Sequence, residues 1–550
     1  MLYSKIFLIQ YQTKNIYMKS ITSTIMLALT AALFVSGCSK KFEDYAQNAN
    51  QPVPGKVPPG IILKSILNDL IVYPGGDADK QCQNICSNYV YYGSNQYWTG
   101  SATLRYGDLN NMLAMEAEAR RLAGSDNNPY HALGLFFRAF YFVDMSEKVG
   151  DLPMTDALKG LDNIAPKYDA QKDIFKQALL WLDSANTLLA GLIQNGFLEF
   201  SGDFYYNERI SSPLSPRDAL IEWQKVVNSY KLRVLIELSK RAVDNADMNI
   251  PQQFAAIYND PATYPIFTSN ADNLQYVYNN SYNYYPDNFT NLGNNQLRLN
   301  LAATLETTLG QLHDLRCMVL GEPARGLGYS DTAYESFVGA PSGMDLSTMN
   351  ALINSGLKDS KLSLYNRNHF YNQGNLAGEP TYILSYPEVC FCIAEAINRG
   401  WITGNSEQWY KNGITSQFAF YGIQDGVNTV TLQAVSGDEI PYTVHFYFND
   451  YFNQPAVKYA GDNAQGLNQI LLQKYLAYAR NSGYQAYYQW RRTGVPVFNA
   501  GPGTGNGGVI PRRWQYPSNE ITSNATNYQA ALQSQYGGND DIDQDVWLVK

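Results

Sequence analysis

Two stretches of this sequence set flat aromatic rings among amides. One is Tyr91-Tyr92-Gly93-Ser94-Asn95-Gln96-Tyr97-Trp98. The other runs from Tyr276 to Asn288, with Tyr278, Tyr282, Tyr284 and Tyr285 interleaved with Asn. This mixture suits recognition of a sugar ring. A pyranose offers an apolar face of C–H groups, which an aromatic ring can cover, and a rim of hydroxyls, which amides can satisfy. Burying a hydroxyl without a partner costs on the order of 1–3 kcal/mol, so rings and amides must occur together. The candidate contacts are Tyr92, Asn95, Gln96 and Trp98 in the first stretch, and Tyr282, Asn283, Tyr284 and Tyr285 in the second. The alternative is that these aromatics pack the loops or meet a partner protein.

Covalent chemistry has less support. The sequence has no Gly-x-Ser-x-Gly elbow and no His-Glu-x-x-His helix. Among 49 acidic residues some pair must fall at glycosidase spacing by chance. The six cysteines form no Cys-x-x-Cys pair and the four histidines are scattered, which argues against zinc. Cys82 and Cys86 read either as two buried thiols or as a disulfide. Asp541, Asp543 and Asp545 alternate like part of a calcium loop but lack its central Gly and terminal Glu. Gly501 to Gly508 is glycine-rich, yet no Lys-Ser/Thr follows, so it reads as a flexible surface loop and not a phosphate cradle. No cofactor is expected. A net charge of -9 argues against nucleic acid, whose phosphates need a basic surface. The 43 tyrosines among 550 residues favour surfaces that bind sugars or proteins.

The elements that must position these residues are mostly helical. Ile61 to Val72 reads as a helix closed by Pro74-Gly75-Gly76, and Leu104 to Leu122 as another. Asn128-Pro129 caps and starts a third, with Leu133, Phe136, Phe137 and Phe140 as its buried stripe. Asp169 is the expected cap of the next, which carries Ile174, Ala178, Trp181 and Leu182. Glu222 to Arg241 is the clearest amphipathic helix, with Trp223, Val226, Val227, Tyr230, Val234 and Leu238 on one face. Helical periodicity fades from 259 to 377, where Asn, Tyr, Gly and Pro rise; loops this long are usually functional. Helices resume at Ser385, which forms an expected capping box with Glu388. Glu407 to Phe418 completes a helix pair of tetratricopeptide size. Thr429 to Leu432 and Tyr442 to Phe448 have strand character. Gln469 to Pro496 reads as a helix, a stop at Asn481 to Gly483, a short aromatic helix and a charged exit turn, whose arginines cap carbonyls or meet carboxylates.

Ahead of these lies a leader. An apolar run from Ile25 to Val35 follows Met18-Lys19, the expected start. It is too short to span a bilayer and has the length of a secretory signal core. Val35-Ser36-Gly37-Cys38 resembles the bacterial lipobox, which implies a lipid on Cys38 and anchoring to a membrane. The expected division is a leader over 1–37, an extended tether over 38–60 and one domain over 61–550.

Several motifs together resemble the SusD/RagB family, in its SusD-like branch. Gln469-Ile470-x-x-Gln473-Lys474, the aromatic helix after it and Arg491-Arg492-Thr493-Gly494-x-Pro496 are similar to that family's signature. So are Gly150-Asp151-Leu152-Pro153, the Trp223 to Arg233 helix, and His313-Asp314-Leu315-Arg316, where Leu315 stands in for the family's Pro. The resemblance implies a mainly α fold, a tetratricopeptide-like superhelix carrying a loop-rich ligand or partner face. It also implies a non-enzymatic, surface-exposed outer-membrane lipoprotein that binds glycans or peptides and delivers them to a SusC-like TonB-dependent transporter. The rival expectations are a surface scaffold or adhesin without a small ligand, and a secreted glycan-degrading enzyme.

Overall fold

The computed structural model describes residues 57–88, 100–196, 199–291, 298–353 and 356–550. The chain divides into two units, Met1–Val57 and Pro58–Lys550, and the fold below is that of the second. Its long helices are α1 (Pro59–Asn68), α2 (Tyr106–Ala123), α3 (Pro129–Val149), α4 (Gln171–Asn195), α5 (Pro216–Glu237), α6 (Ile250–Asn259), α7 (Tyr386–Asn398), α8 (Ser406–Phe420), α9 (Ala464–Tyr478), α10 (Gln485–Thr493) and α11 (Ala525–Tyr536). Successive helices pack in pairs, α1 with α2, α3 with α4, α4 with α5 and α7 with α8, in a mainly α, tetratricopeptide-like arrangement. Between 259 and 377 no described helix exceeds six residues, as the sequence texture implies.

Local chemistry sets the boundaries. Asn128 accepts from the His131 amide at 3.0 Å, and Pro129 opens α3. Helix α5 starts earlier than its apolar stripe suggests, because Ser215 accepts from the Asp218 amide and Pro216 takes the first turn. Two expected caps work differently. Asp169 does not cap α4: its carboxylate accepts from the Met154 and Thr155 amides and the Thr155 hydroxyl. The cap comes from Asp151, whose Oδ1 accepts from the Gln171 amide at 2.8 Å. Ser385 caps α7, but Glu388 does not close the box, because Arg233 of α5 takes its carboxylate.

The strands form three antiparallel pairs: β1 (Ile85–Ser87) with β3 (Leu299–Leu301), β2 (Leu274–Tyr276) with β4 (Thr381–Leu384), and β5 (Gly426–Gln433) with β6 (Glu439–Phe446). The last is the strand character read at 429–432 and 442–448, except that Phe448 already opens a short helix. Trp223 sits at the centre of the core, edge-on to Phe136 at 5.7 Å, to Tyr206 at 5.8 Å and to Phe137 at 6.2 Å. Cys82 and Cys86 are buried free thiols. The Gly501 to Gly508 stretch is not an open loop: it forms two 3-10 turns, and Thr504 is fully buried.

The signature arginines are structural. Arg492 leaves the end of α10 for the buried carboxylate of Glu395 on α7, at 2.5 and 3.0 Å. Arg491 donates to the Arg512 carbonyl at 2.9 Å. Arg316 and Asp314 pair within the core at 2.7 Å.

Candidate ligand-binding site

The second aromatic stretch begins where β2 ends. Tyr276 pairs in register with Thr381 of β4, and the Tyr278 hydroxyl is 2.8 Å from Thr381 Oγ1. The chain then turns outward around Asn279. Its side-chain oxygen accepts from the amides of Ser281, Tyr282 and Asn283 at 2.9, 3.0 and 3.3 Å, an Asn-centred turn. Asn280 reaches sideways to accept from the Leu376 and Ala377 amides, which ties this loop to the segment before β4.

The turn presents two rings to solvent: Tyr282 is 79% exposed and Tyr284 39%. Asn283 is half-buried and donates to the Tyr276 hydroxyl at 3.3 Å, which in turn donates to Asn68 Oδ1 at 2.9 Å. Tyr285 points the other way. It is fully buried, its hydroxyl donates to Asn481 at 3.2 Å, and its ring lies edge-on to Tyr278 at 5.2 Å. It anchors the loop instead of facing solvent.

Tyr73, not among the candidates read from sequence, joins the surface. It is 50% exposed, just after α1, and its phenol lies near that of Tyr276. Burial pushes the Tyr276 phenol above its ordinary value, and the neighbouring phenols of Tyr73 and Tyr282 add to the rise. The sequence signal for Tyr73 is an aromatic placed directly before Pro74-Gly75-Gly76, where the chain must turn and expose it.

What fixes the loop from below is a buried charge cluster. Arg480 pairs with Asp287 and lies over two adjacent rings, 4.3 Å from the Tyr365 centroid and 4.1 Å from that of Phe370. Asp79 is buried beside them. Desolvation pushes its carboxyl up to about 7, although Arg480 and the Gly75 amide pull it down. Two glycines make the close approach feasible. A Cβ on Gly75 (φ +82°) would lie 2.7 Å from Asp287 Oδ2, and one on Gly378 (φ +54°) 2.6 Å from Tyr285 Cγ.

Tyr92, Asn95, Gln96 and Trp98 of the first stretch lie outside the described residues, as does Cys38. Among the described residues no group of three or more His, Cys, Asp or Glu is placed to hold a metal ion. Asp543 accepts from Asn506 and Asp545 from Arg512. No described helix is long and apolar enough to cross a membrane.

Residues 79–517 match the SusD-like family model described as starch-binding and associating with the outer membrane, and the chain belongs to this family. A SusD homologue from Bacteroides fragilis is 28% identical, with a TM-score of 0.71 over 90% of this chain and 99% of the other. A second from the same species is 24% identical, with a TM-score of 0.75 over 90% and 100%. A chitin-binding SusD homologue from Flavobacterium johnsoniae is 15% identical and shares the fold, with a TM-score of 0.62 over 89% and 98%. No curated protein sequence matches.

Proposed function

We propose that the protein captures glycan oligomers at the outer face of the outer membrane, held there by a lipid on Cys38, and passes them unaltered to a SusC-like TonB-dependent transporter. The observation that carries the ligand reading is the exposed pair Tyr282 and Tyr284 beside Tyr73 and the Asn283 amide, on a loop held rigid from beneath. Rings fixed before binding lose little entropy when a sugar stacks on them. Tyr92, Asn95, Gln96 and Trp98 are proposed as a second set of contacts to the same ligand. The family's description and a chitin-binding relative support an oligosaccharide.

Calorimetry against oligosaccharide and peptide panels tests this. Binding to an oligosaccharide, weakened by Tyr284→Ala and by Trp98→Ala, is the expected result. Binding to peptides alone would overturn the glycan reading in favour of a peptide ligand. Silence in both panels, with stable capture of other proteins, would favour a scaffold. Hydrolysis of a bound glycan, lost on replacing one carboxylate, would overturn the non-enzymatic reading. Cys38→Ala should release the protein from membranes; continued attachment refutes the anchor.

A further inference from the structure

A groove of about 250 Å³ opens where the end of β6 and the short helix after it, Phe448–Asn453, meet the turn that closes the short helix Glu306–Gln311. No residue of the Tyr282 loop lines it. Two pairs of flat rings do. His313 lies on Tyr334, with 4.9 Å between centroids and 9° between planes, and His445 lies beside Tyr447 at 6.3 Å and 18°. Within each pair the rings shield one another on one side only, and His313, His445 and Tyr447 are exposed to solvent. The floor is Phe446 and Tyr451, both buried. It is held from beneath: both rings lie edge-on to Phe418, at 5.0 and 5.2 Å, and the Tyr451 hydroxyl donates to Asp314 at 2.7 Å.

The backbone carries His313 at φ +49°, just past the end of the helix Glu306–Gln311. There the His313 and Asp314 amides return to the Gly310 and Leu309 carbonyls at 3.0 and 2.9 Å. Glycine is the usual residue at such a helix end, because it takes the left-handed conformation without steric cost. Histidine in its place puts a ring at the groove. The polar atoms around the rings are uncommitted. Gln454 Nε2 donates to the Leu312 carbonyl at 2.9 Å, which leaves its side-chain oxygen. The Asp450 carboxylate, both imidazoles and the Tyr334 and Tyr447 hydroxyls make no hydrogen bond to another described residue. Among the described residues lining the groove, Asp450 is the one carboxylate, and there is no Lys or Arg.

We infer that this groove is a separate binding site for one uncharged sugar residue. Its rings offer flat faces to the C–H side of a pyranose. Its imidazole and phenol groups can both donate and accept, and Asp450 and the Gln454 oxygen accept, so the hydroxyl rim finds partners of both kinds. A simple cation would use the acceptors and the ring faces but leave the donors idle. A uronic acid or a sulfated sugar would set its charge against Asp450 with no lysine or arginine in the lining to offset it. The volume has room for one hexose residue. The packed floor and the stacked His313–Tyr334 pair keep the surface in place before a ligand arrives, which lowers the entropy lost on binding. The site stands independently of the Tyr282 loop.

The test is ligand-observed saturation-transfer NMR on the full-length protein at pH 7.5. The probes are the methyl glycosides of glucose, galactose, mannose, xylose and N-acetylglucosamine, with methyl glucuronide and tetramethylammonium as charged controls. The expected result is binding of at least one neutral glycoside, weakened at least fivefold by Tyr447→Ala and by His313→Gly, and retained when Tyr284→Ala and Trp98→Ala are combined. His313→Gly is the sharper variant, because glycine suits the backbone there and the fold should hold while the ring is lost. Silence across the neutral glycosides overturns the assignment, and so does an equal response to glucuronide or to tetramethylammonium. Binding that His313→Gly and Tyr447→Ala leave unchanged but the Tyr284→Ala, Trp98→Ala protein loses also overturns it, while supporting the glycan reading of the Tyr282 loop. The reverse pattern would sustain this groove and refute that loop as a sugar site.

Discussion

Replacing Glu395 by Gln keeps the shape of the side chain and removes its charge, so it isolates what the signature arginine contributes. Glu395 is fully buried on α7 and accepts from Arg492 of α10, and from Arg399 at 2.9 Å. Burial alone would raise its carboxyl, but Arg492, Arg399 and Lys474 outweigh burial and hold it down to about 2, against an ordinary 4.5. At 1.36 kcal/mol per pH unit that gap is worth about 3 kcal/mol, within the 3–5 kcal/mol typical of breaking a buried pair from one side. Because the folded pKa is depressed, this stability is present above pH about 5 and is lost as pH falls toward 2. By linkage about 1.4 kcal/mol of it should remain at pH 3. Arg492→Met should cost less, because Glu395 keeps Arg399, whereas Glu395→Gln leaves Arg492 only neutral acceptors, the amide oxygen and the Ser239 hydroxyl at 2.7 Å. Urea unfolding at pH 7, 5, 4 and 3 reads both variants. A Glu395→Gln protein within 1 kcal/mol of the native one at pH 7, or a gap between them that does not narrow toward pH 3, would refute the reasoning.

Gly378→Ala forces a left-handed backbone on a residue with a side chain and drives its Cβ toward the Tyr285 ring; a loss of about 2–4 kcal/mol in urea unfolding is expected, with weaker glycan binding. Tyr282→Ala and Tyr284→Ala should leave stability within about 0.5 kcal/mol, because both rings are exposed, while each weakens glycan binding about fivefold by calorimetry. Asp79 titrates in the opposite sense to Glu395. Its folded pKa of about 7 lies above the ordinary 3.8, so its contribution is complete below pH about 4 and is lost as pH rises through 7. Asp79→Asn should remove that slope and be the more stable protein at pH 8, by on the order of 4 kcal/mol, as thermal melts across pH 4–8 would show.

Helices, caps and family were legible in the residues themselves. Asn128-Pro129 starts a helix because the amide side chain and the proline ring act within one turn. The run from Gln469 to Pro496 carries its own stop in Asn481 to Gly483. The change of texture at 259–377 is likewise a local property of composition. The caps that failed to follow the sequence are those where a distant partner competes. Asp169 finds the amides of Met154 and Thr155, and Asp151 takes over its place at α4. Glu388 finds Arg233, 155 positions away.

The site divided along the same line. That Tyr276 to Asn288 mixes rings with amides is written in the sequence, and so is the chemistry such a mixture serves. Which rings face outward is not, because alternate neighbours in an irregular loop have no periodicity to sort them. Tertiary contacts decided it. Asn481 draws Tyr285 into the core, Asp287 meets Arg480 across nearly two hundred residues, and the Asn279 turn leaves Tyr282 and Tyr284 outside. Tyr73 joins them only because α1 ends beside Tyr276.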